Sequence, residues 1–375
     1  MDKLVFISEM RNPKTNASST QIMVRNILVG MKKISQKLIF VAIVTSDCNK
    51  QDICSFYQDV VDEIYFVKSF SGKKRGRYGT MLAMFMASFR SPKLSKDLAL
   101  DGRVLVLSHS PTIDSILYAK GLKRRNPNVT CIQYWSDPIT LALETVSEYS
   151  YKRAVFKYIE SKMLRYADKI VYGTKTLYEN QKKFFRKYGK KMGYCDVCYN
   201  PLNDDAKRQG ERCFFGYIGN FYSNIRDILP FYNAFKSFNQ ADLLICGAGN
   251  IDLEPKRNIK VMHRVPQQEV ALLESELNVE VCILNKVGFQ IPGKIFYATN
   301  TNKKILVILD GPVSEEIYDY LRPFKRFIFC NNNEISIYNI LNEIVSGKYD
   351  EIDKSELYRL TPEYVARSIL NGGFN

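Results

Sequence analysis

From end to end, the chain alternates short, β-branched apolar runs with longer stretches whose apolar residues recur at helical spacing. That alternation leaves few folds open, because parallel strands need crossover connections and helices supply them. In the first half, strands are expected at Leu4–Ser8, Leu38–Val44, Glu63–Val67, Val104–Ser108, Thr130–Tyr134, Lys169–Tyr172 and Cys195–Tyr199. Helices are expected between them at Thr20–Lys32, Gly79–Phe89, Thr112–Lys123, Tyr151–Tyr166 and Lys175–Lys187. The polar stretch Asn203–Gly210 interrupts the pattern, which restarts with Phe214–Ile218, a helix over Ile225–Phe238, and strands at Asp242–Cys246 and Ile259–Met262. Then come a helix at Gln267–Glu274, a strand at Val279–Leu284, a helix at Gly293–Asn300, a strand at Ile305–Leu309, a helix at Glu315–Leu321, a strand at Phe327–Cys330 and a helix at Glu334–Val345. The pattern predicts an α/β chain of two Rossmann-like domains, 1–200 and 213–355, joined by a linker at 201–212, with a last amphipathic helix in 356–375. Ligands of such sheets bind beyond the carboxyl ends of the strands, so chemistry is to be sought there.

Charge divides the chain at the same place. Residues 1–200 carry 34 basic and 17 acidic side chains, whereas 201–375 carry 20 and 22, so the whole excess of +15 belongs to the first half. It clusters at Lys73–Arg77, at Lys120 with Lys123–Arg125, and at Lys182–Lys191. Such patches suit anionic partners: acidic lipid, a phosphorylated substrate or nucleic acid. No nucleic-acid motif accompanies them, so no specific nucleic-acid partner is expected. The aromatics Phe184, Phe185 and Tyr188 lie among basic neighbours on one predicted helix, where they could stack bases or face a membrane interface, though core packing is the commoner role. Near the N-terminus no apolar stretch is long enough for a signal or a membrane span, and nine scattered cysteines suggest reduced thiols, so a cytoplasmic protein is expected. Cys195-Asp196-Val197-Cys198 has metal-like spacing, but with no second pair and only two histidines no metal site is expected.

Several strand-end loops hold candidate ligands. Ile218-Gly219-Asn220 leads to Arg226 at a predicted helix start, where a cation suits a phosphate rather than the helix dipole. The next strand ends in Gly247-Ala248-Gly249, a glycine turn lacking the third glycine of a dinucleotide fingerprint. Ile291-Pro292-Gly293-Lys294 places a lysine at another helix start, unfavourable unless an anion is present, and so suited to a diphosphate. In the first half, Tyr134-Trp135-Ser136-Asp137-Pro138 offers a carboxylate beside an aromatic surface, for sugar hydroxyls, general base chemistry or simply a capped turn. His109, ending another strand, could polarise a hydroxyl, although a lone histidine is more often structural. No Gly-x-Gly-x-x-Gly follows the first strand, where Glu9-Met10-Arg11-Asn12-Pro13 stands, which argues against a nicotinamide enzyme.

On these residues the chain resembles GT-B fold glycosyltransferases of the bacterial surface-polysaccharide (capsule, exopolysaccharide, O-antigen) type. Ile218-Gly219 with Arg226 resembles the opening of the donor domain, and Leu244–Gly249 its second-strand glycine turn. Ile291–Phe296 resembles its nucleotide-sugar motif, and Tyr134–Pro138 with Ala167–Val171 the acceptor-domain pattern. The resemblance implies two Rossmann-like domains facing across a cleft, with the last helix returning to the first domain. It implies a nucleotide-diphosphate sugar held by Gly219, Asn220, Arg226, Gly247, Gly249, Gly293, Lys294 and Tyr297, and an acceptor held near Trp135, Ser18 and Ser19. Asp137 or His109 would orient or deprotonate the acceptor hydroxyl, and no metal or other cofactor is implied. The acceptor would be a saccharide, commonly carried on a polyisoprenyl diphosphate at an anionic membrane surface, which puts the protein peripherally on the inner face of the plasma membrane. One position departs from the family. Tyr297 stands where such relatives carry the glutamate that grips the donor ribose, which keeps open a noncatalytic or degenerate sugar-nucleotide-binding protein beside a nucleotide-sugar epimerase of similar architecture.

Overall fold

The computed structural model describes residues 3–11, 19–45, 48–70, 77–94, 103–110, 113–141, 150–201 and 212–374. Ser18, the stretch Asn203–Gly210 and most of the basic run Lys73–Arg77 lie outside them. The chain divides into two compact units: Met1–Cys198 with Thr361–Asn375, and Tyr199–Leu360.

The first unit is a seven-stranded sheet in the order β3-β2-β1-β4-β5-β6-β7. Its strands are β1 Lys3–Glu9, β2 Lys37–Val44, β3 Glu63–Lys68, β4 Val104–Ser110, β5 Val129–Trp135, β6 Lys169–Tyr172 and β7 Met192–Tyr194. All pairs are parallel. The helices are α1 Ser19–Ile34, α2 Lys50–Tyr57, α3 Arg77–Ala87, α4 Ile113–Arg125, α5 Ser150–Leu164 and α6 Lys175–Phe184. Covered on both faces, the strands read as continuous apolar runs: every residue of β2 after Lys37 is buried.

The second unit repeats the plan with six parallel strands in the order β10-β9-β8-β11-β12-β13. They are β8 Cys213–Ile218, β9 Ala241–Cys246, β10 Ile259–Met262, β11 Val279–Ile283, β12 Lys304–Leu309 and β13 Ile328–Asn331. Its helices are α7 Leu229–Ser237, α8 Gln267–Ser275, α9 Lys294–Tyr297, α10 Ser314–Leu321 and α11 Glu334–Val345. One face carries the larger core, in which Phe215, Tyr217, Ile245 and Ile283 pack against Phe231 and Phe235 of α7. In both sheets the strand order reverses at one place, between β1 and β4 and between β8 and β11, and at such switch points strand-end loops diverge and leave room for a ligand.

The last helix, α12 Pro362–Asn371, belongs to the first unit. It lies so close on α1 that a Cβ on Gly30 would come within 1.9 Å of the Pro362 carbonyl oxygen. Beyond it Phe374 exchanges backbone hydrogen bonds with Tyr194 of β7, at 2.7 and 2.9 Å.

Three expected elements differ. The strand placed at Cys195–Tyr199 forms three residues earlier as β7, after which the chain leaves the sheet. The helix expected from Ile225 begins at Leu229, with Pro230 in its first turn; a tight turn precedes it, the Arg226 N–H donating to Tyr222 O at 2.7 Å. The helix expected over Gly293–Asn300 is the four-residue α9. Helix α2, started by Asn49 accepting from the Gln51 N–H, carried too short an apolar pattern to be read.

Candidate functional site

In the second unit the switch point is built by the loops that follow β8, β9 and β11. Gly247 and Gly249 are glycines because these loops lie directly on one another. A Cβ on Gly247 would stand 2.0 Å from Gly219 O, and one on Gly249 2.0 Å from Phe221 O. The Gly219 N–H donates to Cys246 O at 2.9 Å and the Gly247 N–H to Met262 O at 3.1 Å. The Gly219 and Gly247 amides are therefore not free for a phosphate, and Gly247 and Gly249 set the close approach of the loops. Gly293 opens only the short α9, so little helix dipole stands behind it.

The cations remain. Arg226, in the turn ahead of α7, donates from Nη2 to Asn285 Oδ1 at 2.7 Å and from Nη1 to Asn220 O at 3.4 Å, while its buried Nε has no partner among the described residues. Lys294 reaches back to the strand ends, donating from Nζ to Ile218 O at 3.0 Å and Val281 O at 3.2 Å. Its Nζ lies 4.3 Å from the centroid of the Tyr217 ring. Tyr217 joins the two, since its hydroxyl faces Arg226 and donates to Asn220 O at 2.8 Å. Burial pushes that phenol up to about 12. Burial, with Arg226 nearby, also lowers the Lys294 ammonium from its ordinary value. Among the described residues neither cation has a carboxylate ion-pair partner; the adjacent Asp227 pairs with Lys286 at 2.8 Å instead. Two cations and an unused buried donor at a switch point can take an anion with more than one oxygen.

Behind Lys294 is a cavity of about 20 Å³, room for one water, walled by Gly216, Leu277, Glu274 and Glu280. Burial, then the neighbouring Glu280, pushes Glu274 up to about 7, while Lys303 bonds Glu274 O at 2.6 Å and Glu280 Oε1 at 3.3 Å. Tyr297 is buried, and its carbonyl accepts from the Asn200 N–H. The sequence reading missed Asn285, Lys286 and Tyr217. A polar pair directly after the β11 run was the available signal, but only the strand order reveals that β11 borders β8.

In the first unit, His109 on β4 and Asp137 after β5 meet through Ser136. Ser136 Oγ lies 3.1 Å from His109 Nε2 and 3.1 Å from Asp137 Oδ2, and His109 Nδ1 lies 2.9 Å from Ser8 Oγ on β1. His109 is 0% exposed, stacked on Tyr134, and burial pushes it down to about 3. It is a neutral strut whose two ring nitrogens are taken up by the hydroxyls of Ser8 and Ser136, which leaves neither for an acceptor hydroxyl. Asp137, whose carboxyl burial raises, ends this line of three side chains. The aromatic-surface reading of Trp135 is corrected: its side chain is 0% exposed and its Nε1 donates to Gln133 Oε1 at 3.1 Å, so no sugar can stack on it. Ser19, exposed, opens α1. A second acid, Glu160 on α5, was not singled out. It is 0% exposed, accepts from the Thr140 N–H at 2.7 Å, and is pushed up to about 7 by burial.

The basic clusters are not alike. Lys120 is buried and donates to Ser88 O and Arg90 O, Lys123 pairs with Asp168, and Arg125 donates to Pro92 O, so that cluster fastens α4 to its neighbours. Lys182, Lys183, Arg186, Lys187 and Lys190 are exposed. Among the described residues no group of three or more His, Cys, Asp or Glu side chains is placed to hold a metal ion.

No family model matches the chain, and no curated protein matches its sequence. Solved structures do match its fold. HepE of Anabaena, in complex with UDP and glucose, is 10% identical, with a TM-score of 0.57 over 100% of this chain and 95% of that one. The lipopolysaccharide outer core galactosyltransferase WaaB is 12% identical, TM-score 0.55, with 99% of each chain covered. UDP-GlcNAc 2-epimerase from Neisseria meningitidis, bound to UDP-GlcNAc, is 10% identical, TM-score 0.53, again with 99% of each covered. The fold is thus the GT-B arrangement of two Rossmann-like domains.

Proposed function

We propose that the protein is a glycosyltransferase that moves a sugar from a nucleoside-diphosphate donor to a hydroxyl of a saccharide acceptor, one carried on a polyisoprenyl diphosphate in bacterial surface-polysaccharide synthesis. The observation that carries this reading is the pair Arg226 and Lys294 at the β8–β11 switch point, two half-buried cations that among the described residues have no carboxylate ion-pair partner, beside a guanidinium N–H with no partner there. As the bond to the sugar breaks, negative charge grows on the diphosphate, and fixed cations in a water-poor site stabilise that charge more than they stabilise the ground state. On this reading they serve in place of a metal. Asp137, positioned through Ser136 by His109, would take up or orient the acceptor hydroxyl. Structural neighbours with UDP and glucose or UDP-GlcNAc bound support a nucleotide-sugar substrate. The buried Tyr297 supplies no carboxylate for the donor ribose, so another group must meet it.

The deciding experiment is calorimetry with UDP, GDP, ADP, CMP and NAD, with Arg226→Ala and Lys294→Ala alongside. One preferred nucleoside diphosphate, weakened in both variants, is expected. No binding at millimolar ligand by folded protein would sink the donor site and leave a noncatalytic role. Because an epimerase shares the fold, UDP-GlcNAc incubated without acceptor provides a second check: a changed sugar, seen by NMR, would replace transfer with epimerisation.

A further inference from the structure

The second unit holds two acids that the proposed reaction does not use. Glu274 stands in the last turn of α8 and Glu280 on β11, and both line the cavity of about 20 Å³ that Lys294 also lines. The cavity admits one water, so the two carboxyls have little hydration to share. β8 and β12 face it with Gly216, Ile218 and Ile305, which carry no charge, and β11 adds Cys282, whose thiol burial raises. Lys303, just before β12, reaches Glu280 Oε1 at 3.3 Å but meets Glu274 at its backbone carbonyl, at 2.6 Å. Among the described residues the Glu274 carboxyl makes no ion pair, and at a helix C-terminus its charge also opposes the dipole. Burial, then Glu280, pushes it up to about 7, so the two acids exchange a proton near neutral pH.

Lys294 connects this cavity to the anion site. Its Nζ is held by Ile218 O and Val281 O, with Arg226 on the anion side and the charges of Glu280 and Glu274 acting on it from behind. Negative charge behind a cation cancels part of its pull on an anion in front. We propose that Glu274 and Glu280 regulate the anion site through Lys294: a proton taken up by the two acids withdraws one negative charge from behind the ammonium, and a diphosphate then binds more tightly. The inference rests on the reading of Arg226 and Lys294 as the donor site. A bound diphosphate keeps Lys294 charged, so what the added proton changes is the opposing field. By reciprocity, the diphosphate must strengthen the hold of the acids on that proton.

The test is calorimetry of the full chain with UDP-GlcNAc, UDP-glucose, GDP-mannose and ADP-glucose in a series from pH 5.5 to 8.5. The diphosphate of these compounds is esterified at both ends and titrates no proton near neutrality, so a pH dependence there belongs to the protein. The parent protein should bind its preferred nucleotide sugar about fivefold more tightly at pH 6 than at pH 8. Glu274→Gln keeps the shape of the side chain without ionising; at pH 8 it should bind as the parent does at pH 6, with the slope through neutrality gone. Glu280→Gln should keep a slope but move its midpoint to lower pH, because the charge that repels the Glu274 carboxylate is removed. Circular dichroism checks the folding of each variant, and should Glu274→Gln fail to fold, the midpoint in Glu280→Gln decides. A parent affinity equal at pH 6 and 8, a Glu274→Gln slope equal to the parent's, or an unmoved midpoint in Glu280→Gln would each overturn the proposal while leaving the donor site standing. Binding of none of the four by parent or variants, at millimolar ligand and at every pH, would remove the donor site itself and this inference with it.

Discussion

Arg226 Nη2 and Asn285 Oδ1 meet at 2.7 Å, and this bond ties the turn ahead of α7 to the loop that follows β11. It holds the guanidinium without neutralising it, since an amide oxygen orients a cation but carries no charge. Asn285→Ala should therefore lower the affinity for the preferred nucleoside diphosphate about tenfold, or about 1.4 kcal/mol. Asn285→Asp should cost more, because it gives Arg226 a permanent internal counter-ion. Calorimetry that finds Asn285→Asp as tight as the parent protein would remove Arg226 from the anion site.

Lys294 gives binding a pH dependence of definite sign. Burial lowers its ammonium in the free protein, and a bound diphosphate must raise it again. Binding should therefore take up a proton as pH approaches the lowered value, and affinity should fall as pH rises through the alkaline range. Lys294→Met should bind weakly at every pH and lose the slope. Titrations in two buffers of different ionisation enthalpy measure the proton count directly, and a count of zero throughout that range would contradict the assignment.

His109 makes the first unit sensitive to acid. Its folded value of about 3, against 6.5 for the unhindered ring, means that the unfolded chain holds more protons between those limits. Its stability contribution is complete above pH 6.5 and is lost as pH falls toward 3, by an amount on the order of 4 kcal/mol. His109→Gln should be less stable at pH 7.5, having lost geometry toward Ser8 and Ser136, yet show a flatter pH dependence. Urea unfolding at pH 7.5 and 5.0 decides this, and parallel slopes for the two proteins would refute it.

Glu160 works in the opposite direction. Its carboxyl titrates near 7 in the fold and at 4.5 when unhindered, so its contribution is full below pH 4.5 and fades as pH rises through 7. Glu160→Gln keeps an acceptor for the Thr140 N–H and cannot ionise. It should be more stable than the parent at pH 8, by about 3 kcal/mol at most, and close to it at pH 4.5. Thermal unfolding at the two pH values reads the difference.

Gly247→Ala tests the loop stacking. The new methyl meets the backbone oxygen of Gly219 at 2.0 Å, which no side-chain rearrangement relieves. A loss of about 2 kcal/mol and a marked fall in nucleotide affinity are expected, whereas Gly189→Ala, with only the Lys182 side chain near at 3.7 Å, should be neutral. Equal melting temperatures for the two variants would mean that the loops can separate freely.

The architecture was legible because strands buried on both faces announce themselves as unbroken apolar runs, as Leu38–Val44 does. Turn chemistry was less so: the apolar residues ahead of Pro230 fit a helix by period, and only the hydrogen bond from Arg226 back to Tyr222 shows the chain turning first. At the site, charge at a strand end drew attention to Arg226 and Lys294, but Asn285 and Ser136 have meaning only once neighbouring strands are known. Trp135 misled for the same reason. A lone tryptophan beside an acid reads as a sugar platform, whereas β5 runs between β4 and β6 and turns that side chain inward.

The placement of α12 also dictates an order of assembly. Residues 199–360 separate β7 from the helix that covers Gly30, so during synthesis the second unit has all its strands before the first has its last helix. Until residues 361–374 leave the ribosome, the α1 surface around Gly30 stays bare, and the stretch of translation that spans the second unit is when a chaperone, or a neighbouring nascent chain, has most to hold.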